Sequence, residues 1–141
     1  MTAEIHVLSA GAIEPGLVDA VEAFREESGD DVRITWATTP VIRKRIAGGE
    51  AADVVIATQE AIDDFTRDGK VAGKGRVPIG RVGIGIVMRR TSPVPDISSA
   101  GALKYAVLDA DSVVFNRASS GLYVERMLND MGILERIQPK T

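Results

Sequence analysis

The first half of the chain repeats one pattern three times: a short apolar run, a turn of small residues and an amphipathic segment. The apolar runs are residues 5–8, 32–36 and 53–57. We predict a strand in each run and a helix after each turn. Strands that alternate with helices at this spacing are typical of a parallel α/β sheet with right-handed crossovers. The third run is unbroken, which predicts a strand buried on both faces.

Proline and glycine mark the limits of the predicted helices. Pro15 and Pro40 lie where the first two helices begin, and the first turn of a helix tolerates proline because its amide hydrogens have no intrahelical partner. Gly29 and Gly69 follow the first and third helices and are typical helix ends. Thr58 is predicted to cap the third helix with its side chain.

The second half of the sequence has a different texture. Val82, Ile84, Ile86 and Met88 occupy every second position within residues 80–88, which predicts one long strand with these side chains on the same face. The proline-rich stretch 91–95 then predicts a boundary between two lobes, residues 1–88 with a hinge strand and residues 89–141. The second lobe is predicted to contain a helix at 98–110, a strand at 112–115 and a helix at 121–131.

Composition excludes several classes of function. The 141 residues carry a formal net charge of −3, which argues against nucleic-acid binding. Without cysteine there is no thiolate nucleophile and no cysteine-ligated metal site. The single histidine, His6, lies in the middle of a predicted strand, where a structural role is favoured over a metal cage or a catalytic dyad. We therefore expect no metal and no cofactor.

The first residues of the chain contain neither a basic segment nor an apolar one of the kind found in export signals. No run approaches the roughly 20 apolar residues that cross a bilayer. As written, the sequence is that of a cytoplasmic protein, or of a mature chain from which an export signal has been removed.

Three turns combine small residues with hydroxyl groups at the start of a predicted helix: residues 9–12, 37–40 and 118–121. Ligands of parallel sheets bind beyond the carboxyl ends of the strands. Helix starts add a partial positive charge and unpaired amides, which suit an anion. Plain helix capping by serine or threonine is the favoured explanation of any one turn. Three matching turns make an anion site and plain capping about equally well supported.

Four stretches carry a resemblance to a known family: residues 4–12, 36–39, 49–56 and 118–123. They resemble type II periplasmic binding proteins of the molybdate-binding branch, over essentially the whole chain. The resemblance implies two α/β lobes, joined by hinge strands, that close over a small oxyanion or organic anion and commonly pass it to an ABC importer. It also implies a periplasmic location. The ligand-binding residues it implies are Gly11, Ala12, Thr38, Thr39, Ser119, Ser120 and Gly121.

Two departures from the family pattern matter. Molybdate binders commonly carry a serine where this chain has Ala12, so one hydroxyl donor is missing. The family is also considerably longer, so the second lobe is predicted to be incomplete. Unfinished sheet edges predict pairing between chains and hence a homodimer.

The leading hypothesis is a solute-binding protein without catalytic activity, with an ABC-type importer as its partner. The alternative is an isomerase of a small tricarboxylate built on the same fold, which needs a positioned base. A ligand-sensing domain and a shortened form that binds nothing remain further alternatives. Hydroxyl and amide donors suit molybdate, tungstate, sulfate and carboxylates alike, so the pattern leaves the ligand open.

Overall fold

The computed structural model describes residues 4–141, which divide into two compact units. The first unit ends at Val82, and the second spans Gly83–Thr141. The sequence predicts a lobe boundary between residues 88 and 89, slightly further along the chain than the end of this first unit. That lobe boundary stays a prediction.

The first unit contains a three-stranded parallel sheet formed by β1 (Glu4–Ala10), β2 (Asp31–Ala37) and β3 (Val54–Ile56). The strand order is β2-β1-β3, with β1 hydrogen-bonded to both neighbours. The register sets Ala10 opposite Ala37, so β1 and β2 end at the same edge. The predicted parallel α/β arrangement is confirmed.

Each strand of the first unit leads into a helix. A short 3-10 turn, Gly11–Ile13, connects β1 to α1 (Glu14–Ser28). The helices α2 (Thr39–Ala47) and α3 (Gln59–Arg67) follow β2 and β3. Proline lies in the first turn of α1 and of α2, as predicted. Gly29 ends α1 with a φ of 75°, a left-handed conformation that glycine adopts without strain.

The core of the first unit lies on both faces of the sheet. Leu8 is fully buried with Ile42 and Phe65 on the side of α2 and α3. Val7 packs against Val21 and Val32 on the side of α1, because successive strand residues point to opposite faces. The prediction that the third strand is buried on both faces is wrong, since Val54 is 41% exposed. Its strand is an edge of the sheet in the described part of the chain.

Asp64 on α3 is the centre of an ion-pair network. Its carboxylate accepts hydrogen bonds of 2.7 Å from Arg43 on α2 and from Arg67 on its own helix. The bond from Arg43 and then the bond from Arg67 hold the pKa of Asp64 below its ordinary value of 3.8. The network ties α3 to α2 across the surface of the unit.

Replacing Asp64 with asparagine should lower stability at neutral pH and leave it unchanged in acid. A carboxylate with a lowered pKa in the folded state contributes stability above its ordinary pKa, and this is lost as the pH falls through the folded value. Urea midpoints at pH 7 and at a series of lower pH values check this. Asp19→Asn, a change of the same charge at an exposed position on α1, is the control. A pH-independent difference between the two variants would contradict the network's role.

The second unit is helical, with α4 (Ala100–Asp109), α5 (Ser119–Asp130) and α6 (Leu134–Ile137) followed by a 3-10 turn. Its core is formed by Leu128, Ile133 and Ile137, each at most 1% exposed. The hydroxyl of Ser99 caps α4 by accepting a 3.1 Å hydrogen bond from the amide of Ala102. The two predicted helices of the second half are thus confirmed.

The two strands predicted in the second half are wrong, because residues 80–88 and 112–115 form no strand in the structure. A strand needs a hydrogen-bonding partner, and alternation alone supplies none. The apolar residues Val82, Ile84 and Ile86, which such a strand would place on one face, are 60%, 49% and 53% exposed, so they form no buried core. Val113 donates a single backbone hydrogen bond, to Lys140 in a 3-10 turn and not to a strand.

Candidate functional site

The carboxyl edge of the sheet brings the first four candidate residues together. Gly11 and Ala12 directly follow β1, while Thr38 and Thr39 directly follow β2. Since the two strands are parallel neighbours that end in register, their turns lie side by side. This is the part of a parallel sheet where ligands bind.

The first turn offers only backbone donors. Gly11 and Ala12 are exposed, and neither carries a hydroxyl group. A side chain added at Gly11 would meet nothing within 4 Å, so the space over this turn is open. The predicted turn at residues 9–12 is shorter than expected, because Ser9 and Ala10 belong to β1. Ser9 is fully buried, and its hydroxyl donates to the carbonyl of Ala10 at 3.2 Å.

Thr38 occupies the N-cap position of α2, with its backbone carbonyl accepting a 2.9 Å hydrogen bond from Ile42. Its side chain is exposed and makes no capping hydrogen bond. Capping was the competing interpretation of this hydroxyl, and the geometry does not support it. The hydroxyl is therefore accessible to a bound molecule.

Thr39 is the most unusual residue at this edge. It is only 4% exposed, and its hydroxyl has no hydrogen-bond partner among the described residues. Leaving a buried hydroxyl unsatisfied costs about 1–3 kcal/mol, and folded proteins satisfy the large majority of such groups. Thr39 is the first residue of α2, at the positive end of the helix. An anion with a free oxygen there would satisfy both features.

Thr58 also lies at the carboxyl edge of the sheet, although it was predicted only to cap a helix. It lies at the N-cap position of α3, after the third parallel strand, but its exposed side chain makes no capping hydrogen bond. The prediction of side-chain capping is therefore wrong. The sequence signal that could have identified Thr58 as a candidate site residue is the one that identified Thr38, a threonine directly after an apolar strand.

The third candidate turn lies in the second unit, where Ser119, Ser120 and Gly121 form the first turn of α5. Asn116, which the sequence analysis missed, organises this turn. Its Oδ1 accepts hydrogen bonds from the amides of Ala118 at 2.9 Å and Gly121 at 3.2 Å. Its Nδ2 donates to the hydroxyl of Ser120 at 3.1 Å. Some of the donors predicted for a ligand are therefore engaged by a side chain of the protein.

His6 lies outside this arrangement. Its ring nitrogens lie 3.1 Å from the carbonyl oxygen of Ala51 and 3.0 Å from the hydroxyl of Thr35. The backbone amide of His6 donates to the carboxylate of Asp53 at 2.8 Å, and the amide of Asp53 donates to the backbone carbonyl of His6 at 2.9 Å. These hydrogen bonds connect the residues just before β3 to the middle of β1. The role of His6 is therefore structural.

Residues 4–141 contain no helix long and apolar enough to span a membrane. The same residues hold no cluster of three or more histidine, aspartate or glutamate side chains arranged to bind a metal ion.

The chain is similar to known proteins in sequence and in structure. A Pseudomonas aconitate isomerase is 34% identical over 129 residues, a match that covers 88% of this chain and 49% of that enzyme. The chain thus spans about half the length of this curated relative. Among solved structures, the substrate-binding domain of a molybdenum ABC transporter from Clostridium difficile matches with a TM-score of 0.45 and 12% identity. That match covers 48% of this chain and 30% of the other, and a likeness this weak adds nothing to the assignment.

The family model for bacterial extracellular solute-binding proteins matches residues 5–141, which is nearly the whole chain. Its match takes in both compact units, including the strand–helix turns of the first and the α5 turn of the second. The chain therefore belongs to the bacterial extracellular solute-binding protein family.

Proposed function

We propose that this chain binds a small tricarboxylate of the aconitate type, and that the protein it forms or belongs to isomerises that ligand. The observation that carries the proposal is the 34% identity with an aconitate isomerase over 129 residues. The donors at the carboxyl edge of the first unit suit such a ligand, because a carboxylate accepts hydrogen bonds from amides and hydroxyls and gains from helix starts.

The composition of the edge favours a carboxylate over a tetrahedral oxyanion. A tetrahedral oxyanion presents four oxygens and needs donors on several sides, whereas each carboxylate of a tricarboxylate presents two oxygens in one plane. The first turn supplies amides but no hydroxyl, since Ala12 stands where molybdate binders commonly have serine. The neighbouring turn adds the hydroxyls of Thr38, which is exposed, and of Thr39, which is buried.

Isomerisation moves a double bond or its substituents, which requires removal of a proton next to a carboxylate and its return elsewhere. The turns of β1 and β2 carry only hydroxyls and amides, which are poor bases. His6 is hydrogen-bonded within the sheet. We therefore assign binding and orientation of the carboxylates to these turns, and proton transfer to a residue outside them.

A transport role is the second candidate, and the family assignment favours it. In this case the protein would bind the same anion outside the cytoplasm and deliver it, unchanged, to an ABC-type importer. The two candidates share the binding step and differ only in what happens to the ligand.

Thermal unfolding with a panel of anions tests the binding step. We expect stabilisation by cis-aconitate, trans-aconitate and citrate, and none by molybdate, tungstate, sulfate or phosphate. Ligand at a hundred times its dissociation constant stabilises a protein by about 2.7 kcal/mol. Stabilisation by the tetrahedral oxyanions alone would contradict the tricarboxylate proposal, as would a flat response to the whole panel.

Proton NMR of cis- and trans-aconitate then separates the two candidates. Interconversion of the two isomers, absent from a sample without protein, supports the isomerase. Stabilisation of the protein by these ligands without their interconversion would instead support the transport role.

A further inference from the structure

The two helices that begin on either side of the β1 turn differ in charge. Helices α2 and α3 follow β2 and β3, and these strands flank β1. The first turn of α2 contains no acidic residue and holds the Thr39 hydroxyl, which is buried without a partner among the described residues. The first turn of α3 contains Glu60. The start of α2 thus suits an anion, whereas the start of α3 supplies a carboxylate that can accept a proton.

Glu60 and Thr39 belong to helices on the same side of the sheet. Leu8 of β1 packs in one core cluster with residues of both α2 and α3. Helix α1 packs against the opposite face of the sheet, in a cluster with Val7. Glu14, the acidic residue in the first turn of α1, therefore lies on the other side of the sheet.

A salt bridge one turn further along α2 and α3 shows which sides of these helices face each other. Arg43 Nη1 lies 2.7 Å from Asp64 Oδ2. Arg43 is four residues after Thr39, and Asp64 is four residues after Glu60. Residues four apart lie on the same face of a helix, and their Cα–Cβ bonds tilt toward its start. Thr39 and Glu60 thus lie on the facing sides of α2 and α3, one helical turn of about 5.4 Å nearer the carboxyl edge.

We propose that Glu60 is the general base that moves the proton when the protein isomerises aconitate. This inference rests on the proposed function, in which the turns of β1 and β2 bind the carboxylates and supply no base. With one carboxylate of the ligand at the Thr39 hydroxyl, the adjacent methylene group lies between the starts of α2 and α3. Glu60 is the acidic residue of the two first turns that meet there.

A single carboxylate accounts for the whole reaction. Glu60 removes a proton from the methylene group of aconitate, so a C–H bond breaks and an O–H bond forms on Glu60. The electron pair left on carbon forms a double bond to the central carbon, and the pair of the original double bond moves to the third carbon. Glu60 returns the proton to that carbon. The double bond has then moved by one position and can form in either geometry, with no other reactant consumed.

Steady-state kinetics and calorimetry of Glu60→Gln test the role. General bases contribute about 100-fold to 10,000-fold to a rate, so kcat for aconitate interconversion should fall at least about 100-fold. The dissociation constant for trans-aconitate should stay within about fivefold of the wild-type value, as expected for loss of an exposed charge. Glu60→Asp should retain more activity than Glu60→Gln, because aspartate keeps a basic carboxylate on a shorter side chain.

Two control variants carry the same charge change. Glu14→Gln removes the first-turn carboxylate of α1, on the other side of the sheet. Glu27→Gln removes an exposed carboxylate near the end of α1, far along the helix from the carboxyl edge. Both should keep the wild-type kcat.

Wild-type kcat in Glu60→Gln would overturn the role of Glu60 and leave the proposed function intact. Loss of activity in Glu14→Gln alone would also overturn it, since the base would then lie on the other side of the sheet. Equal losses in Glu60→Gln and Glu27→Gln would assign the effect to net charge, and a loss of affinity as large as the loss of kcat would assign Glu60 to binding. A wild-type protein that binds aconitate without interconverting it would overturn the isomerase proposal together with the role of Glu60.

Discussion

Replacing Gly121 with alanine should destabilise the second unit by about 3 kcal/mol, the upper end of the usual cost of overpacking. A methyl group at this position would overlap the carbonyl oxygen of Asn116 and lie 2.5 Å from its carbonyl carbon. Both atoms belong to the backbone, so no side-chain rotation relieves the clash. Moving this backbone would also displace the Asn116 side chain, whose Oδ1 accepts from the Gly121 amide and lies 2.8 Å from the same methyl position.

Gly101→Ala is the matched control, because it is the same substitution in another helix of the same unit. A methyl group there would lie 3.9 Å from the hydroxyl of Ser99, an ordinary contact. Alanine within a helix is favoured over glycine by about 0.5–1 kcal/mol, so Gly101→Ala should stabilise. Chemical denaturation followed by circular dichroism gives both values. Changes of the same sign in the two variants would contradict the close packing of the α5 turn against Asn116.

The fold of the first unit was predictable because its signals are local. Apolar runs, prolines and glycines lie within a few residues of the elements that they define, and the three strands and helices appear where the pattern places them. Residues 80–88 show the limit of this reasoning. Their alternation is the pattern of a strand, but a strand also requires a partner, and that requirement is not local.

The candidate site was only partly predictable, for the same reason. Thr38 and Thr39 are adjacent and chemically identical, yet one is exposed and the other is 4% exposed. That difference depends on how α2 packs against the sheet. The role of Asn116 depends on the close approach of Gly121, five residues further along the chain, which no periodicity reveals.

Replacing Thr39 with valine should separate stability from binding. Valine has nearly the same shape and lacks the hydroxyl, which is buried without a partner among the described residues. Removal of an unsatisfied buried hydroxyl should leave the free energy of unfolding unchanged or raise it by about 1 kcal/mol. The affinity for trans-aconitate should fall about tenfold or more, since a hydrogen bond to a charged oxygen contributes about 1.5–3 kcal/mol.

Thr38→Val provides the control for this pair of effects. The hydroxyl of Thr38 is exposed, so its removal recovers no cost of burial, and no gain in stability is expected. Thr39→Ser provides a second comparison, because it keeps the hydroxyl and loses a buried methyl group. We expect it to bind nearly as well as the wild type while unfolding more easily, the reverse of Thr39→Val.

The two measurements on Thr39→Val, urea unfolding without ligand and calorimetric titration with trans-aconitate, have independent meanings. A loss of stability would show that the hydroxyl is satisfied in the unliganded protein, which removes the reason to place an anion beside it. An unchanged affinity would show that the ligand does not contact the start of α2. If Thr39→Val keeps or gains stability while it loses affinity, the hydroxyl of Thr39 serves binding in the wild type and does not stabilise the fold, as expected of a functional site.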